Sequence, residues 1–138
     1  MMFELDSRLH DDTYFVCDLA LCRVLLMNDS QFPWLILVPR KNDLAEIVDL
    51  ADEEQIALLR ESAHVSRVMQ TLFAPHKLNV GALGNVVRQL HVHHIARFED
   101  DIAWPKPVWG NQPTKAYDER DAMQRLALLK EALKDHSI

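Results

Sequence analysis

The chain has 138 residues, 49% of them apolar and 26% charged, which suits a single soluble domain able to bury a core without disulfides or metal. Its formal net charge of −6 excludes broad electrostatic binding to nucleic acid or to an anionic membrane, so an anionic ligand has to be held by local donors. Cys17 and Cys22 form neither a disulfide framework nor a usual zinc spacing, and the chain reads as cytoplasmic.

Residues 1–13 are polar, carrying Glu4, Asp6, Asp11 and Asp12 where a signal sequence would be basic and then apolar. A first strand is predicted from Tyr14 to Leu19. Leu21 to Met27 is a second apolar run with one charge, Arg23, and Asn28-Asp29-Ser30 supplies turn chemistry after it. Asp18, Arg23, Asn28 and Asp29 keep this stretch well short of the roughly 18 apolar residues that a membrane span needs. Trp34-Leu35-Ile36-Leu37-Val38 predicts a central third strand, ended by Pro39.

The period then changes. Asp52 reads as a capping residue with Gln55 three positions on, and acids fill the first turn. Ile56, Leu59, Ala63 and Met69 through Phe73 recur at helical spacing, so Asp52 to Phe73 is predicted as a long amphipathic helix closed by Pro75. Glu53, Glu54, Arg60 and Glu61 read as its solvated side. Lys77 to Gly81 and Val86 to Phe98 are the fourth and fifth strands, a hairpin joined through Gly81-Ala82-Leu83-Gly84-Asn85. Pro105, Pro107 and Pro113 forbid regular structure around Trp104 and Trp109. Tyr117 to Asp135 returns to helix, with Met123, Leu126, Leu129 and Leu133 on one stripe. The order indicates one α+β domain over residues 1–138, its core at about 12–112, built on an antiparallel sheet.

Within the fifth strand, alternation puts Gln89, His91 and His93 on one face and Leu90, Val92 and His94 on the other. Three readings of the histidine pair follow. Hydrogen-bonded histidines at a sheet surface are the plain one. A metal site needs a third protein ligand, and Glu99, Asp100 and Asp101 follow too closely on the strand end to supply it, so no metal is expected. The third reading is nucleophilic catalysis, in which one imidazole attacks phosphorus or acyl carbon while its neighbour donates to the reacting group.

Gln89-Leu90-His91-Val92-His93-His94-Ile95-Ala96-Arg97 resembles the signature of the histidine triad (HIT) superfamily. Trp34 to Lys41, with its Val-Pro-Arg-Lys ending, resembles the family's central strand. Leu78-Asn79-Val80-Gly81 with Gly84-Asn85-Val86-Val87 resembles the hairpin before the triad, and Trp104-Pro105 with Val108-Trp109-Gly110 the segment after it. The series covers roughly residues 12–112.

That resemblance implies five antiparallel strands with one long helix, a C-terminal helix, and a homodimer. It implies a purine nucleotide-type small molecule as ligand, with no nucleic acid or membrane partner. The chemistry implied is hydrolysis or nucleotidyl transfer at the α-phosphorus of a nucleoside phosphoramidate or dinucleoside polyphosphate, through a nucleotidyl-histidine intermediate. His91 matches the nucleophile, His93 the helper beside the reacting phosphate, and the Gln89 carbonyl the acceptor of the His91 Nδ1 proton. Asn79 and Asn85 match phosphate contacts, Asn28 or Asp29 falls at the ribose position, and Leu25 and Met27 would wall the base pocket. No cofactor is required, with magnesium entering only on a polyphosphate substrate.

The chain departs from the family in two places. Gln89 replaces the first triad histidine and cannot carry a proton at neutral pH. Trp34 stands where the best-characterised branches have a fourth histidine. Both favour a rival reading, a nucleotide-binding or protein-interaction module with weak or no catalysis. His94 reads as structural or as a partner at a subunit contact.

Overall fold

A computed structural model describes residues 2–134. In chain order the elements are α1 (Ser7–Asp12), β1 (Thr13–Asp18), β2 (Cys22–Met27), β3 (Trp34–Pro39), a single 3₁₀ turn (Ile47–Asp49), α2 (Asp52–Phe73), β4 (Lys77–Gly81), β5 (Val92–Arg97) and α3 (Glu119–Leu133). The strands form one antiparallel sheet in the order β1-β2-β3-β5-β4. The α+β architecture with a long helix and a C-terminal helix is as the sequence predicts; the predicted helix end at Asp135 lies outside the described residues.

The sheet buries two different faces. Leu35, Leu37, Val92 and Ala96 point to the face covered by α2 and α3, where they join Leu58, Val65, Met69, Leu126 and Leu129 in the larger core. Trp34, Ile36, Val38 and Ile95 point to the opposite face and pack with Leu25, Phe32, Leu9, Phe3 and Leu5. Because β3 and β5 pair with Ile36 opposite His93 and Trp34 opposite Ile95, the histidine of the signature falls on this second face. The N-terminal residues are thus part of the packing, and α1, which the polar composition of residues 1–13 did not suggest, contributes Leu9 at 5% exposure.

The structure corrects several helix assignments. Ala51, not Asp52, is the N-cap of α2, and the first turn is closed by Glu54, whose carboxylate accepts the Ala51 N–H at 3.0 Å. The buried stripe of α2 is Leu58, Glu61, Val65 and Met69, leaving Ile56 and Leu59 exposed. Glu61 is not solvated. Its two carboxylate oxygens accept the N–H groups of Leu21 and Cys22, each at 2.8 Å, and so fix the start of β2 to the helix. On α3, Ala122 rather than Met123 joins Leu126, Leu129 and Leu133 in the buried stripe.

The fifth strand also begins later than predicted, at Val92 and not Val86. Residues 82–91 run as an irregular connection, turned at Gly84 in the left-handed region (φ 73°) that glycine enters without cost. The hairpin is real, with β4 and β5 paired from Lys77↔Arg97 to Gly81↔His93. Gln89, at a bend, and His91 therefore sit on the connection just ahead of the strand.

Beyond β5, a buried ion pair organises the Pro-rich arm. Arg97 is 1% exposed; its Nε donates to Asp101 at 2.8 Å, one terminal nitrogen to Asn79 Oδ1 at 2.8 Å, and the other to the Lys106 carbonyl at 2.8 Å. Asp101 also accepts the N–H groups of Phe98, Ala103 and Trp104. Burial opposes ionisation of Asp101, yet the Arg97 bond and these N–H bonds outweigh it and hold the carboxyl below the usual carboxylate range. The Arg97 guanidinium also lies over the rings of Trp104 and Phe32, at 5.5 and 5.7 Å to their centroids.

Candidate active site at the start of β5

His91 and His93 come together as adjacent rings with centroids 4.9 Å apart, both 7% exposed. Each ring has one nitrogen committed, and the two commitments are opposite in kind. His91 Nδ1 donates to the backbone carbonyl of Gln89 at 2.7 Å, since a carbonyl can only accept. That bond leaves His91 Nε2 as the unprotonated, lone-pair nitrogen. His93 Nδ1 instead accepts the indole N–H of Trp34 at 3.0 Å, because an indole nitrogen can only donate. The proton of neutral His93 is therefore on Nε2.

Aromatic rings enclose His93. Trp34 lies at 5.6 Å and Trp109 at 5.3 Å between centroids, and the two indoles meet each other edge to face. Burial in this box, followed by the neighbouring His91 and His94 imidazoles, pushes the His93 pKa down to about 3. His93 is a neutral group at physiological pH.

His94 occupies the other face of the sheet. Its Nδ1 donates to the Val92 carbonyl at 3.1 Å and its Nε2 accepts the Ser62 hydroxyl from α2 at 2.7 Å. Burial lowers its pKa to about 4. It is a structural histidine, separated from the pair by the sheet.

Gln89 has a divided role. Its backbone carbonyl holds His91, while its side chain turns away to the N-terminal segment, accepting the Asp6 N–H at 2.8 Å and donating to the Glu4 carbonyl at 2.9 Å. Asn42 treats the same segment alike, accepting the Glu4 N–H at 3.0 Å and donating to the Met2 carbonyl at 2.9 Å. Two side-chain amides thus clamp residues 2–6. A cleft of about 760 Å³ lies beside this clamp, lined by Leu5, Asp6, Asn42, Asp43, Arg88 and Gln89 among others. His91 itself borders a much smaller recess of about 20 Å³, with Glu46, Gly84 and Arg88.

The remaining expected contacts fall unevenly. Asn85 is exposed on the connection before His91. Asn79 faces the same side of the sheet, but its Oδ1 is held by Arg97, which leaves the amide nitrogen as the group able to donate to a phosphate. Asp29 is fully buried; its Oδ1 accepts from the backbone and side chain of Gln31 and from the Lys115 N–H. Asn28 Oδ1 accepts the Tyr117 N–H at 2.9 Å. These two residues fasten the chain leading into α3 through one oxygen each, and the second carboxylate oxygen of Asp29 is buried with no partner. Leu25, at 2% exposure, belongs to the second core cluster, with Met27 partly buried against it.

Among the described residues, no group of three or more His, Cys, Asp or Glu side chains is placed to hold a metal ion, and no helix is long and apolar enough to cross a membrane. The thiols of Cys17 and Cys22 are unpaired, and burial raises both, Cys17 to about 11, which keeps them protonated and inert.

Comparisons with known proteins show the family. The HIT domain family matches residues 8–100. A histidine triad protein from Marinobacter aquaeolei is 48% identical, with a TM-score of 0.94 over 97% of this chain and 98% of its own. One from Bradyrhizobium japonicum is 43% identical, with a TM-score of 0.93 over 96% and 99% of the two chains. One from Sinorhizobium meliloti is 42% identical, with a TM-score of 0.91 over 94% and 96%. No match is found among curated proteins. A five-stranded sheet that brings His91 and His93 together, matched over nearly its whole length by histidine triad proteins, places the chain in the HIT family.

Proposed function

We propose that the protein is a nucleotide hydrolase or nucleotidyl transferase that attacks the α-phosphorus of a nucleoside phosphoramidate or dinucleoside polyphosphate with His91. The observation that carries this reading is the 2.7 Å bond from His91 Nδ1 to the Gln89 carbonyl, which aims the free lone pair of Nε2 outward from the strand. Attack forms an Nε2–P bond as the bond to the leaving group breaks. Water then cleaves the nucleotidyl-histidine. His93 Nε2–H, on the neighbouring ring, donates to a phosphoryl oxygen as charge builds on it. Asn85 and the amide nitrogen of Asn79 are the further donors for the phosphate. The route calls for no resident cofactor, and magnesium enters only with a polyphosphate substrate.

The test is His91→Ala against wild type. The variant is expected to lose turnover while retaining the fold and AMP binding, and wild type exposed briefly to substrate should show a nucleotide adduct on His91 by mass spectrometry. Full activity in the variant would sink the mechanism. The turning of the Gln89 side chain to the N-terminal segment favours a second reading, a nucleotide-binding module without efficient chemistry. A stable AMP complex with neither turnover nor adduct would decide for it.

The same reading includes a homodimer in the cytoplasm. Ile56 and Leu59 of α2 and Val80 of β4 are exposed at 52%, 71% and 50%, and they border an apolar groove of about 530 Å³ beside the free edge of the sheet. Exposed apolar surface next to an unpaired strand edge suits a second copy of the chain. Sedimentation equilibrium at micromolar concentration decides it, a monomer counting against this reading.

A further inference from the structure

We infer that Trp34 is a positioning residue that makes His93 a hydrogen-bond donor only, and that the site therefore serves phosphoanhydrides, whose leaving group departs as an anion, in preference to phosphoramidates, whose amine must gain a proton to depart. The inference rests on the reading of His91 as nucleophile and narrows its substrate class.

The two nitrogens of the His93 ring have fixed and different roles. Nδ1 is filled by the Trp34 N–H, and the indole has no lone pair with which to accept a proton back. Protonating His93 would set an Nδ1–H against that N–H inside a buried aromatic box. The only proton His93 carries is on Nε2, and giving that one up would create an imidazolate. A neutral imidazole so placed can stabilise charge but cannot act as general acid.

The other groups around the pair do not fill the gap. Gln89 cannot titrate, and its side chain faces the N-terminal segment. His91 Nδ1–H is tied to the Gln89 carbonyl, and its Nε2 is the attacking atom. Arg88 and Glu46 border the recess at His91, whose lining does not include His93, and a guanidinium does not release its proton. His94 and Ser62 lie across the sheet.

The balance of the step follows. His91 Nε2 supplies the electron pair of the new N–P bond, the P–O bond to the leaving group breaks, and its pair stays on the leaving oxygen of a nucleoside phosphate or polyphosphate anion. No proton is required. In the second half, water adds to phosphorus, the N–P pair returns to Nε2, and the water's proton goes to solvent. A phosphoramidate requires an additional proton on nitrogen that no group here supplies.

Two measurements test this. In wild type, long-range ¹H–¹⁵N correlation should show His93 wholly as the Nε2–H tautomer, with a mixture appearing in Trp34→Phe. In turnover, a dinucleoside polyphosphate should exceed adenosine phosphoramidate in kcat/KM by about 10²-fold or more, the size of a missing general acid. Trp34→Phe should lower kcat on the anhydride by about 3- to 10-fold with KM held, the effect of one lost orienting hydrogen bond. Trp34→His, which places a group able to give and take protons at Nδ1, should narrow the preference. An Nδ1–H tautomer in wild type overturns the role of Trp34 without any variant needing to fold. Comparable turnover of both substrates overturns the leaving-group preference. Absence of turnover and adduct together overturns the His91 reading and that preference with it, while the tautomer result still stands or falls by itself.

Discussion

Replacing Gln89 with alanine separates its two roles, because His91 is held by the backbone carbonyl and only the clamp on the N-terminal segment is lost. Two neutral hydrogen bonds disappear, at 2.8 and 2.9 Å, each with a net worth of about 0.5–1.5 kcal/mol. The local cost is then about 1–3 kcal/mol, a 5- to 150-fold rise in the population of the opened segment. Leu5, Leu9 and Phe3 remain packed under Trp34 and Phe32, and Asn42 keeps its own two bonds, so the domain should stay folded. Native-state hydrogen exchange reads this directly: the Asp6 amide, whose acceptor is removed, should exchange faster by that factor while amides in β3 and β5 hold their protection. An unchanged Asp6 rate would refute the clamp. Gln89→His should open the segment likewise, since an imidazole cannot reproduce the paired amide contact to Glu4 and Asp6.

Acidification should destabilise the fold well above the range of ordinary carboxylates. His93 and His94 have folded pKa values near 3 and 4 against about 6.5 unfolded, so between pH 6.5 and 4.5 the unfolded chain binds more protons and stability falls as pH falls, by up to about 1.4 kcal/mol per unit for each histidine. Asp101, whose pKa is lowered, keeps its contribution above the unfolded carboxylate value and loses it only at lower pH. Urea midpoints that do not move across pH 6.5 to 4.5 would contradict this. Separately, Arg97→Met strands the Asp101 carboxylate, 4% exposed, and should cost about 3–5 kcal/mol by chemical denaturation. A loss under 1 kcal/mol would show that the pair is not what holds the arm.

The strands, the long helix and the paired imidazoles were readable in the sequence because each rests on a local pattern: period-two alternation, period-3.6 recurrence, and two histidines spaced to share a face. What was not readable depended on partners distant in the chain. Glu61 looks like any solvated helix acid until β2 presents two N–H groups to it. Asp29 and Asn28 look like open turn residues until residues 115–117 cross over them. Asn79 looks free until Arg97, on the neighbouring strand, takes its oxygen. Hydrophobic periodicity could not find the N-terminal clamp, since amide side chains bonding to backbone leave no repeat.

On the proposed mechanism, Trp34 is such a residue, altering chemistry without touching substrate. The family resemblance marks it as a missing histidine, and a missing histidine suggests lost activity. The geometry gives another outcome. An imidazole at that position could exchange a proton with His93, whereas an indole at 3.0 Å can only donate, and the direction of one hydrogen bond changes what His93 is able to do. On the proposed mechanism, the donor to a phosphoryl oxygen is kept and fixed in place, and the general acid is removed. Under that mechanism, loss of a titrating group falls on the substrates that need a proton, not on attack by His91, whose lone pair is set independently by the Gln89 carbonyl. The two departures from the triad thus have separate contacts, Gln89 with the N-terminal segment and Trp34 with His93, and the proposal assigns only the second to the leaving group. A rate loss confined to poor leaving groups, with anhydride turnover preserved, is the pattern this division requires.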